Sequence, residues 1–152
     1  MPRPLDWTLG SEYLLLALRT LLDQNIEASL CLAGEGPERE RILYTIDDLD
    51  LHRAAVLADS SANPSALYSE ANVFALVALD GRDRREYREA MVAGLPIVWA
   101  EHTHAQHQSS HDLAGIAVAR RDPEALARTI AKLAPSLAAG TQPVAAEQGH
   151  SP

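Results

Sequence analysis

An α/β domain of the Rossmann-like, three-layer kind with a mainly parallel sheet is the fold this sequence predicts, on three observations. Short apolar runs suited to buried strands alternate with segments whose apolar residues recur at helical spacing. That alternation places helices on both faces of a parallel sheet. A glycine-bounded turn, Gly34-Glu35-Gly36-Pro37, joins one of these strands to the next helix. Gly94 ends another helix just before a strand resumes at Leu95-Pro96-Ile97-Val98, and so abrupt a stop is expected to bring its neighbourhood to the ligand crevice of the sheet.

The elements follow in order. Leu14, Ala17, Leu18, Leu21 and Leu22 fall on one face of the first helix, with Ser11 as its N-cap. Ser29 to Ala33 is a strand. Pro37 suits the first turn of a second helix, since its fixed φ is helical and its missing N–H is not needed there. Ile42, Leu43, Ile46 and Leu49 repeat at helical spacing behind it. Ala55 to Ala58 is a short strand, Asn63-Pro64 opens a helix through Tyr68, and Val73 to Ala78 is a buried strand. A helix over Arg84 to Ala93 and a strand over Leu95 to Ala100 come next. The stretch 102–111 has room for a short helix, and Gly115 to Ala119 is the last strand. Asp122-Pro123-Glu124 starts the final helix with a cap, a first-turn proline and an acid at the positive end, and that helix runs to Leu133. From Pro135 onward Gly, Pro, Gln and Ala dominate, so 1–134 is read as the domain and 135–152 as a disordered tail.

The bulk numbers exclude several classes of function. With 152 residues the chain is the size of one domain with a full core. A formal net charge of -8 argues against general binding to nucleic acid or anionic membrane, both of which need clustered Lys and Arg. Cys31 is the one cysteine, so no internal disulfide is possible, and in a buried strand it reads as a small core residue. No leader or spanning segment is apparent, and a cytoplasmic location is expected.

Three stretches carry a resemblance: Glu89 to Val98 (EAMVAGLPIV), Leu30 to Arg41 (LCLAGEGPERER) and Arg120 to Ala127 (RRDPEALA). Together they resemble the C-terminal, nucleotide-sugar-binding domain of the retaining GT-B glycosyltransferases with the Glu-x7-Glu motif. The resemblance covers roughly Leu5 to Leu133 and implies a nucleotide-sugar donor, such as a UDP- or GDP-sugar, as substrate rather than any cofactor. It also implies a central strand ahead of the first helix. Here Met1-Pro2-Arg3-Pro4 precedes the family's turn, and its two prolines each remove a ladder donor. The central first strand is therefore expected to be missing, to be supplied by another chain, or to be replaced by a different closure of the sheet.

The resemblance implies roles position by position. Glu89 matches the second glutamate of the motif, which binds ribose hydroxyls; a solvated helix glutamate is the plain alternative. Asp80-Gly81 stands one residue out of register for the family's Glu-Gly. Arg82, Arg84 and Arg85 follow it, either as a solvated helix start or as replacements for lost phosphate ligands, a task the guanidinium geometry suits. The family's phosphate-binding Arg and Lys fall on Pro4 (or Arg3) and Leu9, which removes leaving-group stabilisation of about 2–4 kcal/mol for each contact. Gly34-Glu35-Gly36-Pro37 matches a G-x-G-P loop that a tight turn explains on its own. Thr103, His104 and His107 occupy the places of two small residues and a glutamate. His102, His104, His107 and His111 have metal-ligand spacing, but a polar surface loop accounts for them equally, and no metal is assigned. Trp7 reads as a packing residue, Trp99 as one that fills space or stacks on a base near the crevice, and His52 and His150 as solvent-facing.

The candidate donor-binding residues are thus Glu89, Asp80, Gly81, Arg82 and His104, with no catalytic residue assigned. Two readings stay open. One is a glycosyltransferase domain that binds a nucleotide sugar and transfers a hexose with retention, given a partner that supplies the N-terminal acceptor half. The other is a non-catalytic module, or a truncated relic, of the same descent that binds a nucleotide, a sugar or a protein. Self-association through an incomplete sheet belongs with the second reading, because unpaired edges seek partners.

Overall fold

The computed structural model describes residues 11–33, 39–58, 63–76, 84–101, 116–119, 122–133 and 143–147. In chain order the elements are α1 (Ser11–Asp23), β1 (Ser29–Ala33), α2 (Arg39–Asp48), β2 (Ala55–Ala58), α3 (Pro64–Glu70) and β3 (Val73–Leu76). They continue with α4 (Arg84–Val92), β4 (Ile97–Glu101), β5 (Ile116–Ala119), α5 (Pro123–Leu133) and β6 (Pro143–Glu147). The six strands pair in parallel in one sheet of order β2-β1-β6-β3-β4-β5.

Strand alternation sorts the core onto two faces. Val73 and Ala75 of β3 and Val98 of β4 belong to the larger cluster, with Leu30 and Leu32 of β1. Above them lie Leu14, Leu15, Leu18 and Leu21 of α1, Ile42 and Ile46 of α2, and Leu126, Ala127 and Ile130 of α5. Phe74 and Ile97, one position along in each strand, face the other way and join Tyr68, Ala71 and Ala90 from the α3–α4 side. The rings of Tyr68 and Phe74 meet edge to face, with centroids 5.8 Å apart and planes at 72°. Opposite faces are required by handedness. From the centre the chain steps outward one way through β1, α2 and β2, and the other way through β3, α4 and β4. Right-handed crossovers in opposite directions put α2 and α4 on opposite faces. Leu43 departs from expectation: it is 45% exposed, because it sits about 100° round the helix from Ile42 while Ile46 repeats Ile42's direction.

The helix ends are set by local chemistry. Asn63 caps α3 by accepting from the Ser65 N–H at 3.1 Å, and Asp122 caps α5 by accepting from the Ala125 N–H at 2.8 Å. Ser11, expected as a cap, is the first residue of α1; its Oγ is buried without a hydrogen-bond partner among the described residues. Helices α1, α2 and α4 end on a left-handed residue, Asn25 (φ 57°), Asp50 (φ 52°) and Gly94 (φ 76°). In each, the next N–H reaches back to the helix: Ile26 to Leu21, Leu51 to Ile46, and Leu95 to Ala90. This is the Schellman arrangement, and its apolar residue packs into the core, Leu51 fully and Leu95 against the Ala90 cluster.

The main departure from expectation is at the centre of the sheet. Residues 143–147, expected in a disordered tail, form β6 and fill the position the sequence reading leaves open. Ser29 to Ala33 pair with Pro143 to Glu147 on one side, and Val73 to Ala75 with Val144 to Ala146 on the other. Pro143 stands at the first residue of the strand, where a missing N–H is tolerated. Counting β6 as the innermost strand, the order is that of a doubly wound nucleotide-binding sheet, with the innermost strand drawn from after α5. Among the described residues no helix is long and apolar enough to cross a membrane.

Candidate functional site

In an open parallel sheet, ligands bind beyond the carboxyl ends of the strands where the strand order reverses. Here that place is around β6, since the chain moves outward through β1 on one side and β3 on the other. Ala33 and Glu147 stand in register at that edge, with Leu76 ending β3 beside them. In sequence, segments 34–38, 77–83 and 102–115 follow the carboxyl ends of β1, β3 and β4. Asp80, Gly81, Arg82 and His104 fall in the last two, outside the described residues, as do Gly34 to Pro37 and the histidines from His102 to His111.

Glu89 is therefore the one candidate that the structure positions. It is the half-buried sixth residue of α4, and its carbonyl accepts the Ala93 N–H at 3.0 Å. Its neighbour Ala90 packs beneath the sheet with Phe74 and Ile97, which fixes the rotation of α4 about its axis. At 1.5 Å per residue, Glu89 lies about 7.5 Å along the helix from Arg84. Helical side chains lean toward the N-terminus, which for α4 is the carboxyl edge of the sheet.

The other end of the same motif does not reach the crevice. α4 runs antiparallel to the strands, so Gly94-Leu95-Pro96 lies at the amino edge, where the Phe74 N–H donates to the Pro96 carbonyl at 2.9 Å. The expectation that the stop at Gly94 marks the ligand side is corrected accordingly. Gly94 serves helix termination, and a Cβ there would meet nothing within 4 Å.

The remaining positions carry less. Cys31 is half-buried in β1, with partners on both sides of its strand. His52 is exposed and leans on Asp50, Nε2 to Oδ1 at 3.1 Å. Among the described residues no three His, Cys, Asp or Glu side chains are grouped to hold a metal ion. The position that sequence reasoning missed is Glu147, at the carboxyl end of the central strand. Its signal was the short apolar run Val144-Ala145-Ala146 behind a strand-opening proline, obscured by the Gly, Pro and Gln around it.

This architecture, with its reversal of strand order and helices on both faces, is that of a Rossmann-like α/β domain. The family model described as "Glycosyl transferases group 1" matches residues 4–136, and the chain belongs to that family. The match takes in every described element except β6. Among solved structures, the chain is similar to a glycosyltransferase from Rickettsia africae, with TM-score 0.73 and 18% identity over 93% of this chain and 38% of that one. It is similar to HepE from Anabaena, solved in complex with UDP and glucose, with TM-score 0.70 and 21% identity over 86% of this chain and 36% of that one. A TarM variant from S. aureus, solved with UDP among its ligands, gives TM-score 0.67 and 19% identity over 88% of this chain and 26% of that one. The chain thus spans between about a quarter and two fifths of the length of these proteins. No curated protein matches it.

Proposed function

We propose that this chain is the donor-binding domain of a hexosyl-transferring system, holding a nucleotide sugar in the crevice at the carboxyl edge of the sheet. The observation that carries this reading is the reversal of strand order around β6 in a group 1 glycosyltransferase fold, which opens a crevice between the ends of β1 and β3. Glu89, leaning toward that edge from α4, binds the ribose hydroxyls. Asp80, Gly81, Arg82 and His104 belong to the segments that follow β3 and β4 and contact the sugar and diphosphate. Similar folds solved with UDP and glucose, or with UDP-glucose, support a uridine nucleotide as the first donor to test. Transfer with retention needs an acceptor site, which a partner resembling an N-terminal GT-B half supplies.

One observation favours a second reading, a binding module without catalysis. Glu147 places an acidic residue at the carboxyl end of the central strand, and Leu9 stands where the resemblance expects a phosphate-binding lysine. A neutral residue at position 9 leaves a diphosphate leaving group without the cation that the family supplies there.

Calorimetric titration with UDP, GDP and ADP, and then with the matching sugar nucleotide, separates the two readings. Donor binding is expected at roughly micromolar Kd for one nucleotide, and at least about tenfold weaker in Glu89→Ala, a loss of about 1.4 kcal/mol. Absence of binding to all of them by a cooperatively folded protein removes the donor reading. Binding without hydrolysis or transfer of the sugar, in the presence of the candidate partner half, favours the module.

A further inference from the structure

The centre of the sheet is a slot bounded by two strands that do not pair with each other. β1 and β3 each give one ladder to β6, from Ser29 to Ala33 on one side and from Val73 to Ala75 on the other. Everything that builds the slot lies within 11–133. β1 pairs with β2 and β3 with β4, each over a short sequence separation. α1 and α5, from opposite ends of that region, lie in one apolar cluster that spans both halves of the sheet. β6, by contrast, pairs with β1 across roughly a hundred residues of chain, and with β3 across about seventy. Both ladders need β1 and β3 already held one strand's width apart, so β6 docks after the elements that place those two strands. The strand also lies outside the region matched to the family, which ends at 136.

We propose that β6 is an exchangeable strand: it docks last, into a slot prepared by the rest of the domain, and the same slot accepts β6 of a second copy of the chain. The occupant is defined by what already fills the slot. The recognition is a double parallel ladder, five paired positions on the β1 side and three on the β3 side, available in any copy that carries Pro143 to Glu147. Backbone pairing of this kind is how extended segments add to sheets in trans, and exchange of an identical element between protomers is a low-cost route to dimers. The inference does not depend on donor binding.

The test uses the full chain with Ala145→Pro, which removes an amide donor at the middle of the central strand. A peptide of residues 138–152 is then added, with a peptide carrying the same proline as control. The variant is expected to melt roughly 6 °C or more below the unaltered chain, and the unaltered peptide alone to restore the melting temperature. An unchanged melting temperature for Ala145→Pro overturns the proposal, because β6 then contributes nothing to the sheet. Destabilisation that the peptide fails to reverse overturns exchange and leaves a strand that acts only within its own chain. If the variant does not fold, fluorescent peptide is incubated with the unaltered full chain. Saturable incorporation, together with a dimer population that grows with protein concentration, supports exchange, and absence of both overturns it.

Discussion

β3 and β6 lie side by side at the centre of the sheet, in register from Val73 opposite Val144 to Ala75 opposite Ala146, yet they are anchored by different means. β3 is held by its side chains. Phe74 is fully buried between Tyr68, Ala90 and Ile97, and Val73 and Ala75 enter the opposite cluster. Helices α3 and α4 tie it at both ends. β6 has a ladder on either side and the sequence Pro143-Val144-Ala145-Ala146-Glu147, with no large apolar residue. One central strand carries a large buried ring between two helices, and the other is joined by two ladders to strands distant in sequence. Pattern-reading of a sequence responds to the first kind and passes over the second.

That contrast is sharpest where packing is removed. Phe74→Ala is expected to cost about 3–5 kcal/mol, because a fully buried aromatic leaves a cavity that its neighbours fill only in part; urea unfolding measures it. A cost below about 1 kcal/mol would mean that β3 too is held chiefly by its ladders. Asp122→Ala comes next. Losing the cap on Ala125 should cost about 1 kcal/mol in the same assay. Because α5 is the element from which the chain continues to β6, this variant should release β6 amides to exchange before those of β3.

Gly94→Ala acts on the other side of the comparison. The position is free of steric contact, so the expected loss is the left-handed strain alone, about 1–2 kcal/mol. It should loosen α4 and β4 while leaving β1 intact. The smallest effect belongs to Asn25→Gly, where a residue already at φ 57° is replaced by one that adopts it freely. A gain of a few tenths of a kcal/mol is expected, about 0.5 at most. Glu89→Ala stands apart: it should weaken nucleotide binding in a calorimetric titration while the chain still unfolds cooperatively.

Much of the fold was legible because its elements are amphipathic or sharply capped. The spacing of Leu14, Ala17, Leu18 and Leu21, the Asp122-Pro123 start and the Asn63-Pro64 start each mark an element the structure contains. Leu43 was misread because one apolar residue beside the true stripe is compatible with helical spacing and decides nothing alone. β6 was missed for a physical reason: Pro143-Val144-Ala145-Ala146-Glu147 carries no amphipathic period, and its two ladders reach strands distant in sequence. The site was legible only as far as the resemblance reached. Glu89 sits on a helix whose rotation the core fixes, whereas Asp80, Gly81, Arg82 and His104 fall outside the described residues. Gly94 stood out in the sequence for a structural reason at the edge of the sheet away from the crevice.

The most direct test of the account is amide hydrogen exchange at Val144, Ala145 and Ala146, compared within one sample with exchange at Val73, Phe74 and Ala75. Protection of both sets is the expected result, with 144–146 released first by a sub-global opening and 73–75 only in global unfolding, since β6 docks into a slot that the rest of the domain prepares. Exchange at 144–146 as fast as in an unstructured peptide, beside a protected β3, would contradict it and leave the centre of the sheet without its strand.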